Sequence, residues 1–155
     1  MKKINITILY GSSCVGKSTI MGLKNSNLYK VEMDDSNFWE LDKSMWSDYC
    51  LNYLSECISA NTDRKDIIAT CGGLPLPNHP EYLELEKEHT VSFIHILVLT
   101  RTIDDYKKNI VERKLTNKTE ELIKNYNWRK STINLYDNII FNERDIFFAP
   151  IKENG

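Results

Sequence analysis

The chain has 155 residues, 41% of them hydrophobic and 27% charged, with a formal net charge of −2. That length suits one domain with a real core. The charge balance excludes bulk electrostatic attraction to nucleic acid or an anionic membrane, and no apolar run approaches the ~20 residues of a membrane-spanning helix.

The opening "MKKINITILYG" runs into a glycine loop rather than a cleavage site, so no secretion signal is expected. Cys14, Cys50, Cys57 and Cys71 show neither CxxC spacing nor a disulfide pattern, which points to free thiols and a cytoplasmic protein. No repeat or linker divides the chain, and a single domain over 1–155 is the expectation.

Ile4–Tyr10, "INITILY", is rich in β-branched residues and reads as a buried strand. A short helix should follow from about Lys17 to Lys24, and "LYKVEM" (28–33) is a second strand that ends at Asp34-Asp35. The clearest helix covers about 44–60. There Trp46, Tyr49, Cys50, Tyr53, Leu54 and Cys57 form one apolar stripe that assigns Cys50 and Cys57 to the core. "DIIATC" (66–71) is a third strand, stopped by Gly72-Gly73. "PEYLELEKEH" reads as a short helix and "VSFIHILVL" (91–99) as a deeply buried strand. Helices are then predicted over about 102–114 and 118–136, the second with Asn117 at its cap and Glu120 three residues on, before a last strand "NIIF" (138–141). Strands alternating with helices argue for an α/β sandwich around a mostly parallel sheet of about five strands.

"GSSCVGKS" satisfies GxxxxGK[ST] from Gly11 to Ser18. The glycines let backbone N–H groups of Gly11, Ser12, Ser13, Cys14, Val15, Gly16, Lys17, Ser18 and Thr19 converge on a phosphate at a helix N-terminus. Lys17 adds a point charge for the β- and γ-phosphates of ATP, and the Ser18 hydroxyl suits Mg²⁺. An isolated glycine-rich turn leaves the full match unexplained. The strand before the loop and the helix after it are the context such a loop requires.

A GTPase would carry NKxD after a buried strand. "NKTE" at Asn117–Glu120 ends in Glu and follows a polar helix end, so it reads as a helix cap, and no DxxG follows a strand. A motor-like ATPase would end a hydrophobic strand in an acid, whereas the third strand runs "IIATCGG". Acids appear instead after the second strand, as "VEMDDSNFW". Over nearly its whole length the sequence resembles the P-loop small-molecule and nucleotide kinases, including shikimate-kinase-like, gluconate-kinase-like and chloramphenicol-phosphotransferase-like proteins.

The resemblance implies a three-layer α/β/α P-loop fold with a helical lid at about 110–130. It implies that Asp34 and Asp35 serve the metal or the acceptor hydroxyl, with Asp34 and Ser18 the metal candidates. Which aspartate takes which role stays open. "ATCGG" resembles the acceptor loop, so Asp35, Phe38, Gly72 and Gly73 are the acceptor-side candidates. Phe38 and Trp39 are suited to stacking an acceptor ring. Residues 101–130 carry nine Lys/Arg against five acids, a net +4 in a protein of net −2. Helical spacing sets Arg113 on a stripe with Ile103, Tyr106 and Ile110, and Arg129 on one with Leu122, Tyr126, Ile133 and Tyr136. In the kinases it resembles, arginines of this segment clamp the transferring phosphoryl group. Arg113 matches the usual lid arginine, while position 109, an arginine in many relatives, is Asn.

The expected catalytic group is therefore Lys17, Asp34, Asp35, Arg113 and Arg129, acting on MgATP and a small hydroxyl- or phosphate-bearing acceptor. A nucleotide or nucleic-acid-end kinase, or a nucleotide-binding switch, is the alternative. His79, His89 and His95 form no ligand-spaced set, and Cys14 reads as a small filler more than a reactive thiol.

Overall fold

The computed structural model describes residues 3–12, 14–17, 28–33, 40–70 and 74–141. Five strands form its sheet: β1 (Ile4–Tyr10), β2 (Tyr29–Glu32), β3 (Ile67–Thr70), β4 (Val91–Leu99) and β5 (Asn138–Phe141). Their order is β2-β3-β1-β4-β5, and every pairing is parallel. Four α-helices occur among the described residues: α1 (Trp46–Ala60), α2 (Glu81–His89), α3 (Ile103–Glu112) and α4 (Thr119–Ser131).

β1 owes its central place to its composition. Ile4, Ile6, Ile8, Leu9 and Tyr10 are all buried, and β3 and β4 flank it with Ile67, Ile68, Ala69 and the apolar run from Phe93 to Leu99. Strands covered on both faces read as continuous apolar runs, as β3 and β4 do here. From β2 onward each connection steps the same way across the sheet, whereas β1 to β2 runs the other way. Right-handed crossovers then distribute to both faces, giving three layers.

The strands and α2 lie within a residue or two of their predicted bounds. Three local expectations need correction. On α1 the fully buried line is Cys50, Leu51, Leu54 and Ile58, while Trp46, Tyr49, Tyr53 and Cys57 are half-buried on its flank. The stripe is rotated because Leu51 and Ile58, both larger apolar groups than Cys57, take the centre. The Asn117–Glu120 capping box does not form. Thr116–Lys118 make a turn of 3-10 helix that runs straight into α4, so Asn117 sits inside a helical turn and Lys118 takes the cap position without a side-chain hydrogen bond. Finally, α4 stops at Ser131 rather than 136. Thr132 bonds the Arg129 carbonyl with both its backbone N–H (3.0 Å) and its hydroxyl (2.7 Å), which closes the helix early. At the other end of this pair, Thr102 caps α3 by accepting from the Asp105 N–H at 3.1 Å.

Candidate phosphate-binding site

β1 delivers the chain into the glycine loop at the centre of the sheet's carboxyl end, where open parallel sheets bind ligands. Gly11 is required there by close approach: a Cβ would stand 2.7 Å from Val15 Cγ2 and 2.9 Å from the Val98 carbonyl on β4. Cys14 (φ 72°) and Gly16 (φ 105°) both occupy positive φ. Such alternation turns successive amides toward one point and builds an anion-binding nest. At the end of the described loop, the Lys17 Nζ donates to the carbonyl of Gly11 and, at 3.5 Å, to that of Ser12. The ammonium group is thus folded onto the loop, within reach of whatever the loop holds.

α3 lies against this loop. Asn109 Nδ2 donates to the Cys14 carbonyl at 2.9 Å. One turn on, Arg113 caps α3 and raises positive potential at the Cys14 thiol. Burial nevertheless dominates and pushes that thiol above its ordinary value, with Arg113 and then Lys17 opposing it. Burial thus works against the thiolate form that a nucleophile needs. One turn before Asn109, the buried Tyr106 hydroxyl is pushed up to about 12, mainly by burial, with neighbouring Ser12 drawing it back. Arg113 itself is exposed and does not continue the buried line of Tyr106 and Ile110. It lies where the helix has ended, so its long side chain escapes the core.

The acceptor side begins on the neighbouring strands. Met33 N–H donates to the Thr70 carbonyl (3.3 Å), and the Thr70 hydroxyl donates to the Leu9 carbonyl (3.0 Å). β2, β3 and β1 therefore terminate together at the loop's end of the sheet. Of the sequence candidates, Ser13, Ser18, Thr19, Asp34, Asp35, Phe38, Gly72 and Gly73 lie outside the described residues, as do Trp39, Cys71 and the predicted helix beyond Lys17.

Arg129 stands elsewhere. It is buried, with its guanidinium 5.9 Å from the centre of the Tyr10 ring and 4.9 Å from that of Trp128. Around it runs a chain of hydroxyls. Tyr82 Oη donates to the Pro75 carbonyl (2.8 Å), so it accepts from Tyr10 Oη (2.8 Å). The Tyr10 oxygen is left to accept from His95 Nδ1 at 2.8 Å. Both tyrosines titrate above their usual range, chiefly because they are buried. His95 lies in the buried strand expected of it, but no local pattern marks this cluster, since its members come from β1, β4 and α2. Nor does the sequence mark Asn109 as a contact, beyond its place three residues after Tyr106 on the same side of α3.

No protein-family profile and no curated protein matches the sequence. Solved structures do match. A chain of the Pnkp1/Rnl/Hen1 RNA repair complex superposes with a TM-score of 0.57 at 14% identity, covering 96% of this chain and 52% of that one. Shikimate kinase from Bacteroides thetaiotaomicron gives 0.51 at 12% identity, over 91% of this chain and 89% of the other. The fold is that of the P-loop kinases. A chain of the PezAT chromosomal toxin–antitoxin system of Streptococcus pneumoniae is similar at 0.51 and 19% identity, over 94% and 69% of the two chains. At these identities the likeness shows the fold alone. Among the described residues no helix is long and apolar enough to cross a membrane, and no three His, Cys, Asp or Glu gather as a metal site.

Proposed function

We propose that the protein is an ATP- and Mg²⁺-dependent kinase that moves the γ-phosphate of ATP to a small hydroxyl- or phosphate-bearing acceptor. The observation that carries this reading is a P-loop with its lysine at the centre of a parallel sheet, touched by a helix of the basic segment. The loop amides and Lys17 would hold the β- and γ-phosphates. The Ser18 hydroxyl and the Asp34 carboxylate are hard oxygen donors that fit Mg²⁺, and they follow the loop and β2, which end at the same edge of the sheet. Bound there, the cation would neutralise charge on the phosphate oxygens.

In the transfer, the acceptor oxygen attacks the γ-phosphorus, the bond to the β–γ bridging oxygen breaks, and ADP leaves. The acceptor proton passes to Asp35 or Asp34. Arg113, exposed at the end of α3 and close enough to bias Cys14, would neutralise the transferring group. Arg129 receives a different part from the clamp its spacing suggests: it supports Tyr10, the residue on which the loop is founded.

The test is an acceptor screen that reads ADP release across nucleosides, nucleoside monophosphates, 5′-hydroxyl oligonucleotides, shikimate, gluconate and aminoglycosides. The right acceptor should raise ADP release at least about tenfold, because a bound hydroxyl is far better placed than water. Tight GTP binding, indifference to ATP and stimulation only by another protein would instead identify a switch.

A further inference from the structure

The loop has a difficulty of its own making. Cys14 sits at φ 72°, a left-handed conformation that side chains other than Gly, Asn and Asp seldom adopt and that costs a β-carbon residue about 1–2 kcal/mol. Something outside the loop has to favour it. Asn109 is half-buried on α3 and donates its amide to the Cys14 carbonyl at 2.9 Å, across 95 residues of sequence. The same face of α3 sets Tyr106 beside Ser12, and Arg113, just past the helix end, favours the charged form of the Cys14 thiol.

We infer that Asn109 is a positioning residue: its side-chain amide latches Cys14 in the left-handed conformation and so holds the loop ready for phosphate. The inference rests on the reading of this loop as the nucleotide site. It adds that α3, within the basic segment, sets the loop's shape before any nucleotide arrives. Asparagine suits that task because a short neutral amide can donate to a carbonyl without bringing a charge that would compete with Lys17. Its amide is engaged by the Cys14 carbonyl, so its effect should be on binding rather than on the chemical step.

Two measurements on the full chain separate the latch from the nucleotide reading. In the absence of nucleotide, amide hydrogen exchange over residues 11–17 should quicken by about three- to tenfold in Asn109→Ala, the loss of one hydrogen bond, with the rest of the sheet unchanged. ADP titration should show an affinity weaker by a similar factor. In the nucleotide-free exchange measurement Asn109→Asp should be worse than Ala, because it keeps the shape but turns an oxygen toward the Cys14 carbonyl; a mere packing role would leave that exchange unchanged. In a Cys14→Gly background, where positive φ carries no penalty, Asn109→Ala should lose much less affinity. Unchanged exchange in Asn109→Ala, or an Asp variant as good as wild type, overturns the latch. Faster exchange with full ADP affinity overturns its link to binding. Faster exchange in a protein whose wild type binds no nucleotide leaves the latch standing and removes the kinase reading.

Discussion

Arg113 and Arg129 look alike in sequence and differ in the fold. Each falls on an apolar helical stripe, in a segment of net positive charge. Arg113 falls where α3 has already ended, is exposed, and acts on Cys14 in the glycine loop. Arg129 lies within α4, only 5% exposed, against Tyr10. A stripe shows which positions turn inward. Whether an inward position meets a ligand or the core depends on where the helix stops, and capping decides that. Here Thr132 closes α4 just past Arg129, while α3 ends before Arg113.

The sharpest way to break this comparison is to remove the charge held on the loop itself. Lys17→Ala should cut phosphoryl transfer by about a hundredfold or more, since a preorganised charge is lost, and leave thermal stability unchanged. Near-normal turnover would displace the phosphate site altogether. Arg113→Ala should lower kcat by about a hundredfold while moving the ATP dissociation constant far less, because its contact develops in the transition state. Arg113→Lys should rescue poorly for want of the bidentate fork.

Arg129 should behave in the opposite manner. Arg129→Ala opens a cavity beside Tyr10 and should cost about 2 kcal/mol or more in denaturant unfolding. An apolar replacement of similar length, Arg129→Met, should recover part of that stability and keep kcat within about threefold of wild type. A hundredfold loss of kcat in a fully stable Arg129→Met protein would return this residue to the clamp.

How much of this was legible beforehand follows from the range of each interaction. β1, β4 and β5 were readable because continuous β-branched runs specify buried strands locally, and the P-loop because its geometry is contained in eight consecutive residues. Sheet order was not readable, and neither was the Tyr10–Tyr82–His95 chain, since its hydrogen bonds span 72 and 85 residues. The Asn109 latch escaped for the same reason. The capping-box expectation failed because the 3-10 turn Thr116–Lys118 draws Asn117 into the helical run.

The smallest expected effect lies in alkali. The Tyr106 hydroxyl has a folded value of about 12 against an ordinary 10.0, so the unfolded chain loses this proton first as pH rises. Its contribution to stability is therefore whole below pH 10 and is lost progressively toward pH 12. Tyr106→Phe should flatten the fall in stability across that window, and an unchanged slope would show that the hydroxyl is not buried as described.

One structure tests the central claim most directly: the protein crystallised with Mg²⁺, a non-hydrolysable ATP analogue and the acceptor found by screening. The account predicts the Lys17 ammonium and the Arg113 guanidinium within hydrogen-bond distance of the terminal phosphate, about 2.7–3.2 Å, with Arg129 still against Tyr10. A terminal phosphate held away from the loop, or an Arg113 guanidinium remote from it with acceptor bound, would contradict it.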